Sequence, residues 1–212
     1  SDWSSNVCSS DLDVIEEEAE EDIKALGGVN KTEELSDPVW RIAKGRFTWL
    51  FANLLTALLA SWVIKQFEGS IEKMVSLAVL MPIVASMGGN AGTQTMTVAV
   101  RALATRELGD ANTLRVVRRE LLVGVLNGAA FAFIMGMIAI AWFQVSDLGI
   151  VIALAMVCVL AAAALGGIAI PLILVKLRVD PAVSSGPFVT TVTDVVGFFS
   201  FLGIATLWFG LK

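Results

Sequence analysis

The feature that most constrains this chain is the recurrence of long apolar runs. They cover roughly residues 46–65, 72–100, 120–143, 148–175 and 187–210. Each reaches the ~20 residues a helix needs to cross a hydrocarbon core. Backbone N–H and C=O groups find no water in lipid, so each run is expected to be a helix that satisfies its own backbone. Composition agrees: of 212 residues, 56% are apolar and 17% charged, and mean hydropathy is +0.77. Those values exclude a disordered chain and argue against a nucleic-acid partner. The fold class expected is all-α and integral to the membrane, with five transmembrane helices per subunit preceded by a cytoplasmic acidic helix.

Charge is unevenly placed. Residues 1–37 hold 12 acids against two lysines, whereas residues 38–212 hold 13 bases against eight acids. Three regions follow. Residues 1–12 are Ser-rich and read as a disordered or non-native end. Residues 13–37 comprise an acidic helix, DVIEEEAEEDIKAL, stopped by Gly27-Gly28, and a linker. Residues 38–212 form the membrane domain, opened by the interfacial segment PVWRIAKGR. Asp13, Glu17, Glu20 and Glu21 recur at i, i+4, i+7 and i+8, so one helix face carries four carboxylates. That face reads either as a solvated surface or as a cation-sensing one.

Lys and Arg set the expected orientation. Twelve lie before the first span or in the second-to-third and fourth-to-fifth connections, and the opposite side carries only Lys65, Lys73 and Lys212. The N-terminus is therefore expected in the cytoplasm and the C-terminus outside. No apolar h-region occurs in residues 1–37, so no secretory signal peptide is expected there. The chain has no His, and its cysteines, Cys8 and Cys158, are far apart. His-dependent catalysis, a disulfide framework and a thiolate metal site are excluded.

Two polar features break the apolar background. Asp194 lies inside the fifth run, in FVTTVTDVVGFF, with no basic residue near it in sequence. A carboxylate at the centre of a membrane helix costs ~2.5–3.5 kcal/mol on insertion scales, so it either faces an ion path or is protonated and bonded to another helix. Thr190 and Thr191 precede it at i−4 and i−3 and continue its face as hydroxyls. The second feature is MGGNAGTQTMT, residues 87–97. Pro82, Gly88, Gly89 and Gly92 weaken a regular helix there, while Asn90, Thr93, Gln94, Thr95 and Thr97 place polar groups at membrane depth. Such a stretch either packs helices closely or lines water, and the two are compatible. A twofold axis beside the fifth run would bring two Asp194 together, −2 opposite a divalent ion. Mg²⁺ dehydrates reluctantly and suits few carboxylates with hydroxyl and amide neighbours.

From about Asp13 to Gly210 the chain resembles the MgtE family of bacterial magnesium channels. The resemblance rests on the acidic helix, the GGN-x-G-x-Q stretch, RALATREL after it, and VDPAV…GPFVTTVTDVVG in the fifth run. It implies a homodimer in the bacterial inner membrane, with five spans per subunit and a pore along the dimer axis. It implies that Asp194 holds hydrated Mg²⁺, with Gly89, Thr93, Thr97 and Thr190 also facing the ion by motif position and Asn90 in the same stretch. The acidic helix is similar to the family's connecting, or plug, helix, which implies gating by cytosolic Mg²⁺. Family members carry an N domain and a CBS pair before the plug; these are not in the sequence, which reads as a fragment. Thr93 stands where the family commonly has Asn, and Gly186 where it has Asn.

The remaining carboxylates divide between two uses. Asp180, before Pro181, is either a secondary metal site with the plug or a helix cap. Glu72, one turn after Glu68, either concentrates cations at the outer entrance or sits in a solvated loop with Lys65 and Lys73. No enzymatic role is expected: an aspartyl protease needs two carboxylates sharing a proton, and here one Asp lies at membrane centre. A cation-coupled carrier or exporter and a non-transporting scaffold remain as alternatives to a channel.

Overall fold

The computed structural model describes residues 21, 23–24, 27–29, 33–34, 36–108 and 112–211, with backbone alone at 183–184. Asp13, Glu17 and Glu20 of the expected acidic helix lie outside the described residues. Among the described residues there are six helices and no strand: α1 (Val39–Lys65), α2 (Glu68–Lys73), α3 (Ser76–Ala104), α4 (Thr113–Phe143), α5 (Ser146–Lys176) and α6 (Pro181–Phe209). The chain divides into two compact units, residues 1–53 and 54–212.

In the first unit Glu21, Ile23 and Lys24 are helical. The expected stop is in place: Gly28 takes φ +72°, and the Val29 N–H donates back to the Lys24 carbonyl at 2.9 Å. That 6→1 bond is the mark of a glycine-terminated helix. Before α1, the Asp37 carboxylate accepts the Glu34 N–H at 3.1 Å and pairs with Arg41 at 2.7 Å. The backbone donor and then the guanidinium hold its pKa below the ordinary carboxylate value. Arg46 pairs with Glu33.

In the second unit α5 lies at the centre and packs on α3, α4 and α6. Its side chains Leu148, Ile152, Met156 and Val159 are buried with Leu80 and Val84 of α3 and Phe201 and Leu202 of α6. Close approach comes from small residues. Gly124 of α4 meets Ala164 and the Leu160 carbonyl of α5, Gly128 meets Val157, and Gly136 meets Gly149. The pairing runs in opposite directions along the two chains, so α4 and α5 are antiparallel. This is the small-residue packing that membrane helices favour where burial of apolar surface gives no net drive. Residues 54–65 of α1 are mostly uncovered. Leu54, Leu55, Leu58, Leu59 and Trp62 are exposed, and only Ala60 and Val63 are buried, against Phe198. The connection after α1 folds into α2, whose buried Ser70 hydroxyl bonds the Thr206 hydroxyl at 2.8 Å and the Leu211 carbonyl at 3.2 Å.

Among the described residues, four helices are long and apolar enough to cross a membrane: Val39–Lys65, Thr113–Phe143, Ser146–Lys176 and Ser185–Phe209. The fifth expected span, α3, runs 29 residues but is not among these four, and Asn90 and Gln94 interrupt its apolar sequence. The helices also outrun the apolar runs. α1 starts at Val39 rather than near 46, α4 at Thr113 rather than near 120, and α3 continues to Ala104. Hydropathy marks the part of a helix that meets lipid, while the backbone ladder continues through the basic turns beyond it.

Candidate ion-conducting site

The site is organised by a glycine seam between α3 and α6. A Cβ on Gly88 would stand 2.6 Å from Val159 Cγ2 and 3.4 Å from Thr193 Cβ. One on Gly92 would stand 2.8 Å from Val189 Cγ1 and 3.1 Å from Thr193 Cγ2, and Gly197 lies against Val84. Position 84 therefore meets 197, 88 meets 193 and 92 meets 189, so the two helices are antiparallel. Propensity alone predicts that these glycines weaken the helix. Instead α3 runs unbroken from Ser76 to Ala104 with Pro82 inside it. The tight packing holds a helix that low propensity would otherwise loosen.

Helical periodicity then fixes what lies beside the seam. In an antiparallel pair, one step along the chain from a contact residue turns both helices to the same flank. Gly89 and Thr93 follow Gly88 and Gly92; Thr190 and Asp194 follow Val189 and Thr193. Four of the six expected ion-site residues thus share one flank of the seam, at adjoining levels. Thr193 is fully buried within the seam, whereas Gly89, Thr190 and Asp194 are half-buried and Thr93 is exposed. Asn90 and Thr97 are exposed on the open face of α3. Gln94 turns away from the flank and, with Thr95, lines a different cavity towards α4 and α5.

The hydroxyls on the flank and on the open face of α3 beside it have a defined polarity. Thr93 Oγ1 donates to the Gly89 carbonyl at 2.9 Å, Thr97 Oγ1 to the Thr93 carbonyl at 2.8 Å, and Thr190 Oγ1 to the Gly186 carbonyl at 3.0 Å. Each hydroxyl proton is committed to its own helix, and the oxygen lone pairs are left as acceptors. Water bound to a cation presents hydrogens outward, so an acceptor surface is the complement of a hydrated cation. Among the described residues no group donates a hydrogen bond or brings a positive charge to the Asp194 carboxylate. Nor do three Asp, Glu or Cys side chains gather to hold a metal among them. One subunit offers a single carboxylate with an acceptor-lined flank.

The other expected site residues are scattered. Glu21 is helical in the first unit. Asp180 caps α6, accepting the Ala182 N–H at 2.9 Å ahead of Pro181 at the first helical turn. Replacement by Ala is expected to lower thermal stability by about 1 kcal/mol, with Asn retaining most of it, as thermal melts of both variants will check. Glu68 and Glu72 are exposed and line an open groove of about 450 Å³ with Lys65 and Ser61. The sequence reading missed Glu120 and Asn127 of α4, which line the cavity that takes Gln94. Their spacing of seven, two helical turns on one face, was the available signal.

The family described as "MgtE: Divalent cation transporter" matches residues 81–204, which include the whole seam. The chain is 36% identical over 197 residues to "Magnesium transporter MgtE" of Enterococcus faecalis, covering 93% of this chain and 43% of that protein. It is 33% identical over 195 residues to the Bacillus subtilis protein of the same name, 92% of this chain and 43% of that one. It is 35% identical over 198 residues to that of Thermus thermophilus, 92% and 44%. The chain spans less than half the length of these relatives.

Proposed function

Since the chain belongs to the MgtE family of divalent cation transporters, we propose that it forms a Mg²⁺-conducting pore in which Asp194 is the ion-binding carboxylate. The family is one of transporters, not enzymes, and Mg²⁺ is cargo here rather than a resident cofactor. The observation that carries the reading is the flank of the α3–α6 seam, where an unpaired carboxylate stands beside hydroxyl and carbonyl oxygens that only accept. A hydrated Mg²⁺ can exchange bulk water for that surface without shedding its inner shell.

In this reading α1, α3, α4, α5 and α6 all cross the bacterial inner membrane, with the N-terminus cytoplasmic. Two copies pair about an axis facing the flank, so two Asp194 oppose one ion. Pairing also covers the polar face of α3, where Asn90, Thr93 and Thr97 would otherwise meet lipid. The carboxylates Asp13, Glu17, Glu20 and Glu21 form a cytosolic Mg²⁺-responsive gate, because like charges packed on one face repel until a divalent ion neutralises them. Asp180 lies at the cytoplasmic mouth and Glu72 at the outer one, each a secondary cation contact.

Flux of Mg²⁺ and Ca²⁺ into proteoliposomes tests the reading. Mg²⁺ influx well above that of Ca²⁺, with no counter-ion gradient, is expected. Influx that requires a proton or Na⁺ gradient would replace the channel by a coupled carrier. A narrower test uses Gly89, which has open space within 4 Å of a would-be Cβ. Gly89→Ala should leave the melting temperature within about 1 °C and still lower Mg²⁺ flux severalfold, since the methyl enters the conducting flank. The gate is checked by limited proteolysis of residues 13–26. Added Mg²⁺ should protect this segment in the wild type, and neutralising Glu17, Glu20 and Glu21 to Gln should remove the protection.

A further inference from the structure

A second polar cavity lies apart from the seam. It occupies about 220 Å³ between α3, α4 and α5 and takes no residue from α6. Its polar lining is Gln94 and Thr95 from α3 with Glu120 and Asn127 from α4; Leu160 and Ala164 of α5 close its back. α3 and α4 otherwise touch little, so the cavity takes the place of direct packing between them.

The Glu120 carboxylate is half-buried, and its surroundings make its state informative. Arg118 and Arg119 precede it directly, and Arg101 and Arg115 lie on the same two helices. A half-buried acid this close to arginines ordinarily takes one as a partner. Among the described residues Glu120 makes no ion pair and no hydrogen bond. Gln94 and Asn127 are exposed at the cavity's rim, and their side-chain amides take no partner among the described residues. Three polar side chains from two helices therefore line one cavity and leave their oxygens free to accept from a guest.

We propose that this cavity is a second cation site, taking a hydrated divalent cation through Glu120 with the carbonyl oxygens of Gln94 and Asn127. All its donors are oxygen, which selects hard cations over soft ones. At about 30 Å³ per water, the volume holds roughly seven molecules, enough for an ion with much of its shell and too roomy for a bare one. A single negative charge with neutral oxygens binds weakly, because affinity for a divalent cation follows the charge of its ligands. The site is independent of the conducting flank because it shares neither Asp194 nor α6.

The test is a Mn²⁺ titration of the purified chain, with free Mn²⁺ read by its solution EPR signal. Wild type, Asp194→Asn, Glu120→Gln and the double variant are compared, each first shown to elute at wild-type volume with wild-type helicity. The expected result is that Asp194→Asn and Glu120→Gln remove separate components, the first about one Mn²⁺ per two chains and the second about one per chain, and that the double variant loses both. Asn127→Ala, which keeps the carboxylate, should weaken the second component about three- to tenfold without abolishing it. A Glu120→Gln isotherm superimposed on the wild type overturns the proposal, as does loss of all membrane-domain binding in Asp194→Asn alone. Loss of the Asp194 component bears on the pore and not on the cavity, so the two assignments fail separately.

Discussion

Asp194→Asn is expected to reduce Mg²⁺ flux at least tenfold, to the level of protein-free liposomes, while the protein elutes and melts as the wild type does. The substitution keeps the side-chain shape and removes one charge. A +2 ion about 5 Å from a carboxylate, across one water layer and at an effective dielectric of about 20, gains roughly 6–7 kcal/mol. A fifth of that is already a factor of ten in occupancy. No described residue pairs with Asp194, so removing the charge leaves no counter-charge stranded and the fold loses little. Flux measured with a Mg²⁺-sensitive dye inside the vesicles separates the outcomes. A variant that conducts normally moves the ion site off α6.

Gly167→Leu is expected to have the largest effect on the fold itself. A Cβ at this position of α5 would lie 2.7 Å from Thr95 Cβ, 2.9 Å from the Gly92 carbonyl oxygen and 3.0 Å from the Met96 nitrogen. Two of these are backbone atoms of α3, which no rotamer change can move. Even the single carbon of Gly167→Ala should cost about 1–3 kcal/mol. That corresponds to roughly 3–10 °C in melting temperature for a chain this size. Leu should prevent α3 and α5 from closing and lower the yield of folded protein. Gly69→Ala is the matching control. Nothing lies within 4 Å of a Cβ there, and Ala in the first turn of α2 should be neutral or stabilising by a few tenths of a kcal/mol. Equal melting temperatures for Gly167→Ala and Gly69→Ala would show that the α3–α5 contact yields more readily than its geometry implies.

The contrast between those two glycines explains how much of the structure is legible in the sequence. Periodic solvent exposure is absent from a membrane chain, but length and apolarity give the helices directly, and Asp194 stands out because nothing near it in sequence neutralises it. The roles of the glycines in 87–97 cannot be read that way. Gly88 and Gly92 close a seam while Gly89 borders open space, a distinction set by partners about 100 residues away. Glu120 is hidden for the same reason. Beside Arg118 and Arg119 it looks like one more interfacial charge, and the walls that make it a cavity residue come from α3 and α5. Asp180 is legible only as a choice between two roles, and the capping bond to Ala182 occupies one of its carboxylate oxygens.

The hydroxyls of Thr93, Thr97 and Thr190 are also rotors that have been locked. Relaying a proton along a row of hydroxyls needs each one to release its hydrogen bond and turn, and here every donor is tied to a carbonyl of its own helix. Each such release costs about 1 kcal/mol before any transfer begins, and the costs accumulate along the row. The same arrangement that welcomes the shell of a cation therefore makes a poor proton wire. In the proposed pore, a metal ion would therefore pass while a pH gradient across the membrane stays standing.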